Sequence, residues 1–307
     1  MAEAIMSVSI FTGVLEQGLL WGIMVLAVYL TFRILDFPDL TVDGSFTLGA
    51  AVAAHMIIIG NDPWLGTMLA LVCGACAGLV TGLLHTQLRI TPLLAGILTM
   101  IALYSINLRV MGKPMISLLR MDTIYTDIIS WGVTKQLSVV ILGAVAVILV
   151  VLFLYRFLET EMGLALRATG DNEQMIRSLG VNTNTMKVIG LALSNALIAF
   201  SGALVAQKQG FADIGMGIGM IIVGLASVII GEVLIGHMTL LRALVAVVIG
   251  SVIYRLVIAM VLQLGLAPTD LKLFTAVLVA LALASPVLKA YLKNGRARGK
   301  GEKHAGC

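Results

Sequence analysis

Charge is what this sequence has least of. Only 12% of its 307 residues are Asp, Glu, Lys or Arg, about half the share of an average soluble domain. A soluble globule needs a charged skin, and this chain cannot make one. Cysteine is scarce as well: Cys73, Cys76 and Cys307 form no disulfide framework. Cys73 and Cys76 have the C-x-x-C spacing of redox and metal sites, but they lie in an apolar run without a nearby His or acid. They read as small helix-packing residues. Residues 1–10 hold no Lys or Arg and lead to no small-residue cleavage site, so no signal peptide is expected. His55 and His85 lack metal-ligand spacing, and no nucleophile–base–acid set or paired carboxylates stands out. Neither an enzyme nor a metal or cofactor in this chain is expected.

Apolar residues are abundant: 60% of the chain is hydrophobic and the mean hydropathy is +1.06. That excludes disorder, collagen and coiled coil, and leaves an all-α polytopic integral membrane protein. The 32 Gly and six Pro fit helices that pack closely and sometimes break. A hydrocarbon core about 30 Å thick needs roughly 20 helical residues. Stretches free of charged residues cover 17–32, 44–61, 63–88, 90–108, 136–155, 188–207, 214–231, 243–254 (continuing past Arg255 to 269) and 273–288. About eight spans are expected, nine or ten if a broken or re-entrant segment hides in a Gly-rich run.

Lys and Arg set the orientation. One side collects Arg33, Arg89, four cations of the 156–187 loop, Arg242 and six cations of the tail; the other holds Arg109, Lys113, Arg120, Lys135, Lys208 and Lys272. The richer side is expected to be cytoplasmic, with the N-terminus outside and the C-terminus inside. Residues 1–292 read as one membrane domain and 293–307 as a basic cytoplasmic tail at the lipid surface. The tail is too small for a nucleic-acid face, and its GRARGK run (295–300) lacks the spacing of a phosphate loop. Residues 113–134 read as an amphipathic segment lying at the outer interface.

The cytoplasmic loop mixes charges of both signs. Within it, residues 170–180 (GDNEQMIRSLG) carry the marks of a short isolated helix. Asp171 or Asn172 can cap it, acids occupy its first turn, Arg177 sits near its end and Gly180 stops it. Met175, Ile176 and Leu179 give it one apolar side. That side either folds back on the bundle or docks into another protein's groove.

Several segments carry a specific resemblance: 162–172 (MGLALRATGDN), 177–181 (RSLGV), 193–196 (LSNA), 201–204 (SGAL), 33–46 (RILDFPDLTVDGSF) and 91–100 (TPLLAGILTM). They resemble ABC-importer permeases of the branched-chain amino acid and ribose type. They most resemble a bacterial subgroup encoded beside an ATPase and a substrate-binding lipoprotein, some of whose members are associated with tryptophan or tyrosine uptake. The resemblance implies a permease homodimer in the cytoplasmic (inner) membrane and a separate ATPase that binds ATP and Mg. It also implies a docking contact formed by Gly170, Asp171, Asn172, Met175, Ile176, Leu179 and Gly180.

The path is expected to be mostly apolar, without a fixed buried charge. Asp36, Asp39 and Asp43 crowd a Pro38-broken connection; Asp43 fits either a helix N-cap before Gly44 and Ser45 or a gate contact. Ser45, like Asp43, is a candidate for the path or gate; Tyr104, Asn107, Ser194 and Asn195 are polar groups inside spans, suited to line the path or to bond helices together. Gly215, Gly217 and Gly219 before a span suggest a broken helix or a close crossing. Glu232 is expected to pair with Arg242, and Arg255 to snorkel or to meet an acid. The function read from the sequence is thus the membrane subunit of a bacterial ABC importer for a small, amino-acid-like solute. A permease for a sugar or nucleoside, or an ion-coupled carrier acting alone, is the alternative.

Overall fold

The computed structural model describes residues 2–129, 132, 134–236 and 239–263, with Leu273, Thr275, Ala276, Val277 and Ala280. The chain runs through α1 (Ala2–Tyr29), α2 (Thr41–Ile58), α3 (Pro63–Thr86), α4 (Pro92–Met111), β1 (Met115–Ser117), α5 (Ile124–Ile129) and α6 (Lys135–Glu159). It continues through α7 (Glu161–Asp171), α8 (Glu173–Ser178), α9 (Thr183–Gln209), β2 (Phe211–Asp213), α10 (Met220–Ile235) and α11 (Leu240–Gln263). Among the described residues, seven helices are long and apolar enough to cross a membrane, and α10 is a shorter apolar helix. At 16 residues α10 reaches only about 24 Å. The ninth charge-free stretch, 273–288, lies mostly outside the described residues, as does the basic tail. Termini on opposite sides of a membrane require an odd number of crossings. The expected sidedness is therefore inconsistent with eight spans and needs an odd number.

Helix ends follow local chemistry. Asp62 caps α3 by accepting the Trp64 N–H, with Pro63 in the first turn, where a missing N–H costs nothing. Gly112 and Gly210 close α4 and α9 in the left-handed region, which Gly enters without a Cβ penalty. α1 loosens into a π-helical turn at Leu30–Ile34 before the Asp-rich connection.

The core forms around α1, α2 and α9. Side chains from Leu20 to Leu30 are buried on all sides of α1, as expected of a helix enclosed by its neighbours. Without a hydrophobic drive between helices in lipid, close approach supplies the packing energy. Gly74, Gly78 and Gly82 of α3 lie against the α9 backbone at Asn195, Leu191 and Val188. These glycines, and not the interleaved cysteines, form the contact: Cys73 is half-buried and Cys76 exposed.

Two expectations change here. The described part of the 113–134 segment is folded onto the bundle and is not a separate amphipathic stretch: β1 pairs antiparallel with β2, and Ile116, Leu118, Ile124 and Tyr125 are buried. The Tyr125 hydroxyl donates to the Leu204 carbonyl, and the Ile124 N–H donates to Gln207 Oε1. The first span also begins earlier than its charge-free run, at Phe11. Glu16 therefore falls inside it, buried and paired with Lys208 at 3.1 Å.

Replacing Gly78 with Leu should overpack the α3–α9 contact and cost about 1–3 kcal/mol or more. The check is thermal unfolding in detergent, with Gly13→Ala, whose Cβ would meet nothing within 4 Å, left unchanged.

Candidate functional site

Two places concentrate the singled-out residues. The first is the loop between α6 and α9. Thr160 caps α7 by accepting the Gly163 N–H at 3.2 Å. Gly170 and Asp171 end α7 and do not belong to the short helix, which is α8 alone. Gly170 lies against the Ile34 carbonyl, where a Cβ has no room. Asn172 is the cap of α8: its Oδ1 accepts the Met175 N–H at 3.0 Å. Gly180, at φ +90°, stops the turn.

The three apolar side chains do not share one exposed face. Ile176 is 8% exposed and packs inward, whereas Met175 and Leu179 are 50% and 70% exposed. What holds α8 in place is Glu173. Its carboxylate accepts from Lys187 Nζ at 2.7 Å and from Thr183 Oγ1 at 3.1 Å, and pairs with Arg177 at 3.4 Å. Thr183 and Lys187 belong to the first turns of α9, so α8 is pinned to a long core helix. The hydrogen bond from Lys187 and the surrounding cations hold the Glu173 carboxyl below its ordinary value of 4.5, against the opposing effect of partial burial.

Beneath this loop a cavity of about 300 Å³ is lined by Tyr29, Arg33, Arg167, Asp171, Glu232 and Leu240 among others. Arg33 Nε donates to Glu232 Oε1 at 3.0 Å, tying the end of α1 to α10. Glu232 thus takes Arg33, from the far end of the sequence, in place of the expected Arg242. Among the described residues Arg255 pairs with no acid; its guanidinium lies 3.9 Å from the ring centre of Trp21, a cation–π contact suited to a water-poor setting.

The second place is where α2, α4 and the turn before α10 meet. The Asp43 carboxylate accepts the Gly219 N–H at 2.8 Å and the Ile221 N–H at 3.0 Å. Asp43 therefore caps α10 and not its own helix. The cap role of α2 falls to Asp39, whose Oδ1 accepts the Thr41 N–H at 2.8 Å. Residues 214–219 form turns between β2 and α10, so the Gly-rich run is a break ahead of a helix and not within one, and at Gly217 it makes the close crossing onto α2. Gly217 there lies on the Asp43 carbonyl, with Thr47 Oγ1 beside it at 2.5 Å from where a Cβ would stand. A cavity of about 500 Å³ opens beside the break, lined by Asp43, Thr47, Tyr104, Asn107, Ile214 and Ile218 among others.

Of the six path candidates, Asp43, Tyr104 and Asn107 line this cavity. Ser45, Ser194 and Asn195 sit in a buried set between helices. Ser45 Oγ donates to Asn195 Oδ1 at 2.6 Å, Asn195 Nδ2 donates to Asp39 Oδ2 at 2.8 Å, and Ser194 Oγ donates to the Ala27 carbonyl at 2.9 Å. Every side-chain group in that set has a partner, which fits helix bonding. Among the described residues no group of three or more His, Cys, Asp or Glu could hold a metal ion. Sequence reasoning missed the Arg33–Glu232 tie and the Asp39–Asn195 bond; a polar residue in each apolar neighbourhood was the available signal.

Residues 10–284 match the family described as branched-chain amino acid transport system / permease component. A tyrosine transport system permease protein of Clostridioides difficile is 43% identical over 285 residues, covering 93% of this chain and 94% of that protein. An uncharacterised protein of Rickettsia prowazekii is 36% identical, covering 88% of this chain and 95% of that protein. The ribose import permease protein of Escherichia coli K12 is 27% identical, covering 67% and 64% respectively. No solved structure matches.

Protection of the α8 amides against hydrogen exchange should depend on Glu173. Because folding lowers its pKa, the anchoring is fully present above the ordinary carboxylate range and is lost as pH falls through the lower folded value. Glu173→Gln should remove that protection at neutral pH as well.

Proposed function

Because this chain belongs to the permease-component family of branched-chain amino acid transport systems, we propose that it is the membrane-spanning subunit of a bacterial ABC importer for an amino acid of aromatic type. Its own role is transport and not catalysis. A separate ATPase binds ATP and Mg, an external lipoprotein or periplasmic protein delivers the cargo, and two copies of the chain enclose the path. The N-terminus is outside and the C-terminus cytoplasmic. The aromatic amino acid follows the Clostridioides difficile tyrosine permease, which is similar over nearly the whole of both chains. The ribose permease, at 27% identity over two thirds of this one, supports a sugar less well.

The observation that carries the reading is α8: a short helix with Met175 and Leu179 facing out and Glu173 fixing it to α9. A helix held this firmly moves as one body with the helix it is pinned to. When the ATPase closes, Asn172, Met175, Leu179 and Gly180 meet its cleft, while Ile176 keeps α8 seated on the permease. Displacement passes to α9 through Lys187. It passes to the π-helical turn after α1 where Gly170 of α7 stands against Ile34, and from there to α10 through Arg33 and Glu232. α10 begins at the second cavity, so a pull at the cytoplasmic face reaches the site where cargo passes.

Replacing both Met175 and Leu179 with Asp should weaken ATPase association by about a hundredfold or more, since burying such side chains stabilises by roughly 1.5–3 kcal/mol each. Co-purification reads this, with an unchanged elution profile showing the permease folded; survival of the complex would remove α8 as the docking helix. A cysteine placed by Ser178→Cys should react with a membrane-impermeant maleimide only in inside-out vesicles. Labelling in right-side-out vesicles would reverse the proposed sidedness.

A further inference from the structure

The cavity beside the helix break holds a polar atom that the fold does not use. Asn107 is 1% exposed, and its Nδ2 donates to the Gly44 carbonyl at 3.2 Å. Its Oδ1 has no hydrogen-bond partner among the described residues. A buried amide oxygen left so is disfavoured unless something that enters the site uses it.

The rest of the wall says what that is. Asp43 also lines this cavity, and the backbone N–H groups of Gly219 and Ile221, with that of Met220 beside them, leave part of its carboxylate's acceptor capacity unused. None of the described lining residues is Lys, Arg or His. The site therefore offers acceptors and a negative charge, without a cation to hold an anionic group. Thr47 and Ser105 add hydroxyls to the wall, and most of the rest is apolar or aromatic, including Met100, Ile101, Ile218 and the Tyr104 ring, which is 53% exposed. At about 500 Å³ it lies within the range of small-molecule sites.

We propose that this cavity receives the cargo amine-first: Asn107 Oδ1 accepts an ammonium N–H, Asp43 supplies the counter-charge, and a large apolar side chain lies against Tyr104, Met100 and Ile101. The proposal rests on the importer reading and adds to it the orientation of the cargo and the residues that recognise it. It departs from the expectation of a path without fixed charge, since it places Asp43 in the wall. The carboxylate of a zwitterionic cargo points away from this chain's half of the path.

The test separates the permease from the delivering protein. The permease–ATPase complex is placed in lipid nanodiscs without the external binding protein, and binding of radiolabelled tyrosine is measured by scintillation proximity. Tyramine, which keeps the ammonium and lacks the carboxylate, should displace it; 3-(4-hydroxyphenyl)propionate, which lacks the ammonium, should not. Asn107→Leu should weaken binding tenfold or more. Ile101→Trp, which fills the cavity and leaves the Asn107–Gly44 bond in place, should weaken it as well. Displacement by both analogues, or unchanged affinity in both variants, would overturn the proposal. So would a complex that binds no tyrosine yet imports it when ATP and the binding protein are added, and the importer reading would then stand. Absence of ATP-driven import of any amino acid would remove that reading and this proposal together.

Discussion

Two backbone N–H groups at the start of α10 have no helical partner, and Asp43 takes both. In an apolar surrounding an unsatisfied N–H costs several kcal/mol, so a helix cannot begin beside membrane-spanning segments without such a partner. The turn at 214–219 carries the chain from β2 to the start of α10, and it passes so close to α2 that Gly217 touches the Asp43 carbonyl. Charge, glycine and helix start are thus one constraint. The favourable field of a helix N-terminus keeps the carboxylate in place, and the interrupted backbone leaves the space that the cavity occupies.

That arrangement joins the two functional regions through α10. One end of the helix is held by Asp43 of α2, and near the other end Glu232 is held by Arg33 at the end of α1. The two contacts differ in kind. The first is a pair of short bonds from fixed backbone groups, part-buried. The second joins two long side chains, with Arg33 largely exposed, and is the easier to open. Motion at the α7–α8 end is therefore expected to break the ion pair before it disturbs the cap. α10 would then pivot about its start, changing the cavity's shape without unmaking the helix break.

Apolar run length made the spans legible, because lipid demands it of each helix separately. Local caps were legible for the same reason: Asn172 and Gly180 act on residues a few positions away. Long-range partners were not. Asp43 looked like the cap of α2 since α2 follows it in sequence, but its N–H donors lie more than 170 residues on, and Asp39 takes the nearer role. Glu232 seemed matched to Arg242 by proximity, and Arg33 holds it instead. Ile176 shared helical spacing with Met175 and Leu179, yet a helix of two turns presents neighbours on different sides, and only packing decides which faces in. The β1–β2 ribbon was invisible because three-residue strands carry no periodic pattern.

The polar residues within spans sort by whether their bonding capacity is used up. Ser45, Ser194 and Asn195 spend theirs on other helices, as does Gln207, which donates to Thr67 and accepts from Ile124. Such groups stabilise one arrangement of helices and have nothing left to offer a passing molecule. Asn107 spends its donor on Gly44 and keeps its acceptor. The difference cannot be read from residue type, since Asn195 and Asn107 are the same amino acid at comparable burial. It follows from what stands opposite each one: Asn195 faces Asp39 and Ser45 in the tightest part of the core, whereas Asn107 lines the gap made by the start of α10. The Tyr254 hydroxyl and Arg255 Nε are also buried without a hydrogen-bond partner among the described residues, but neither residue lines the cavity before α10. There Asn107 is the unspent acceptor beside an open volume, where an entering molecule gains a bond that the protein does not already make.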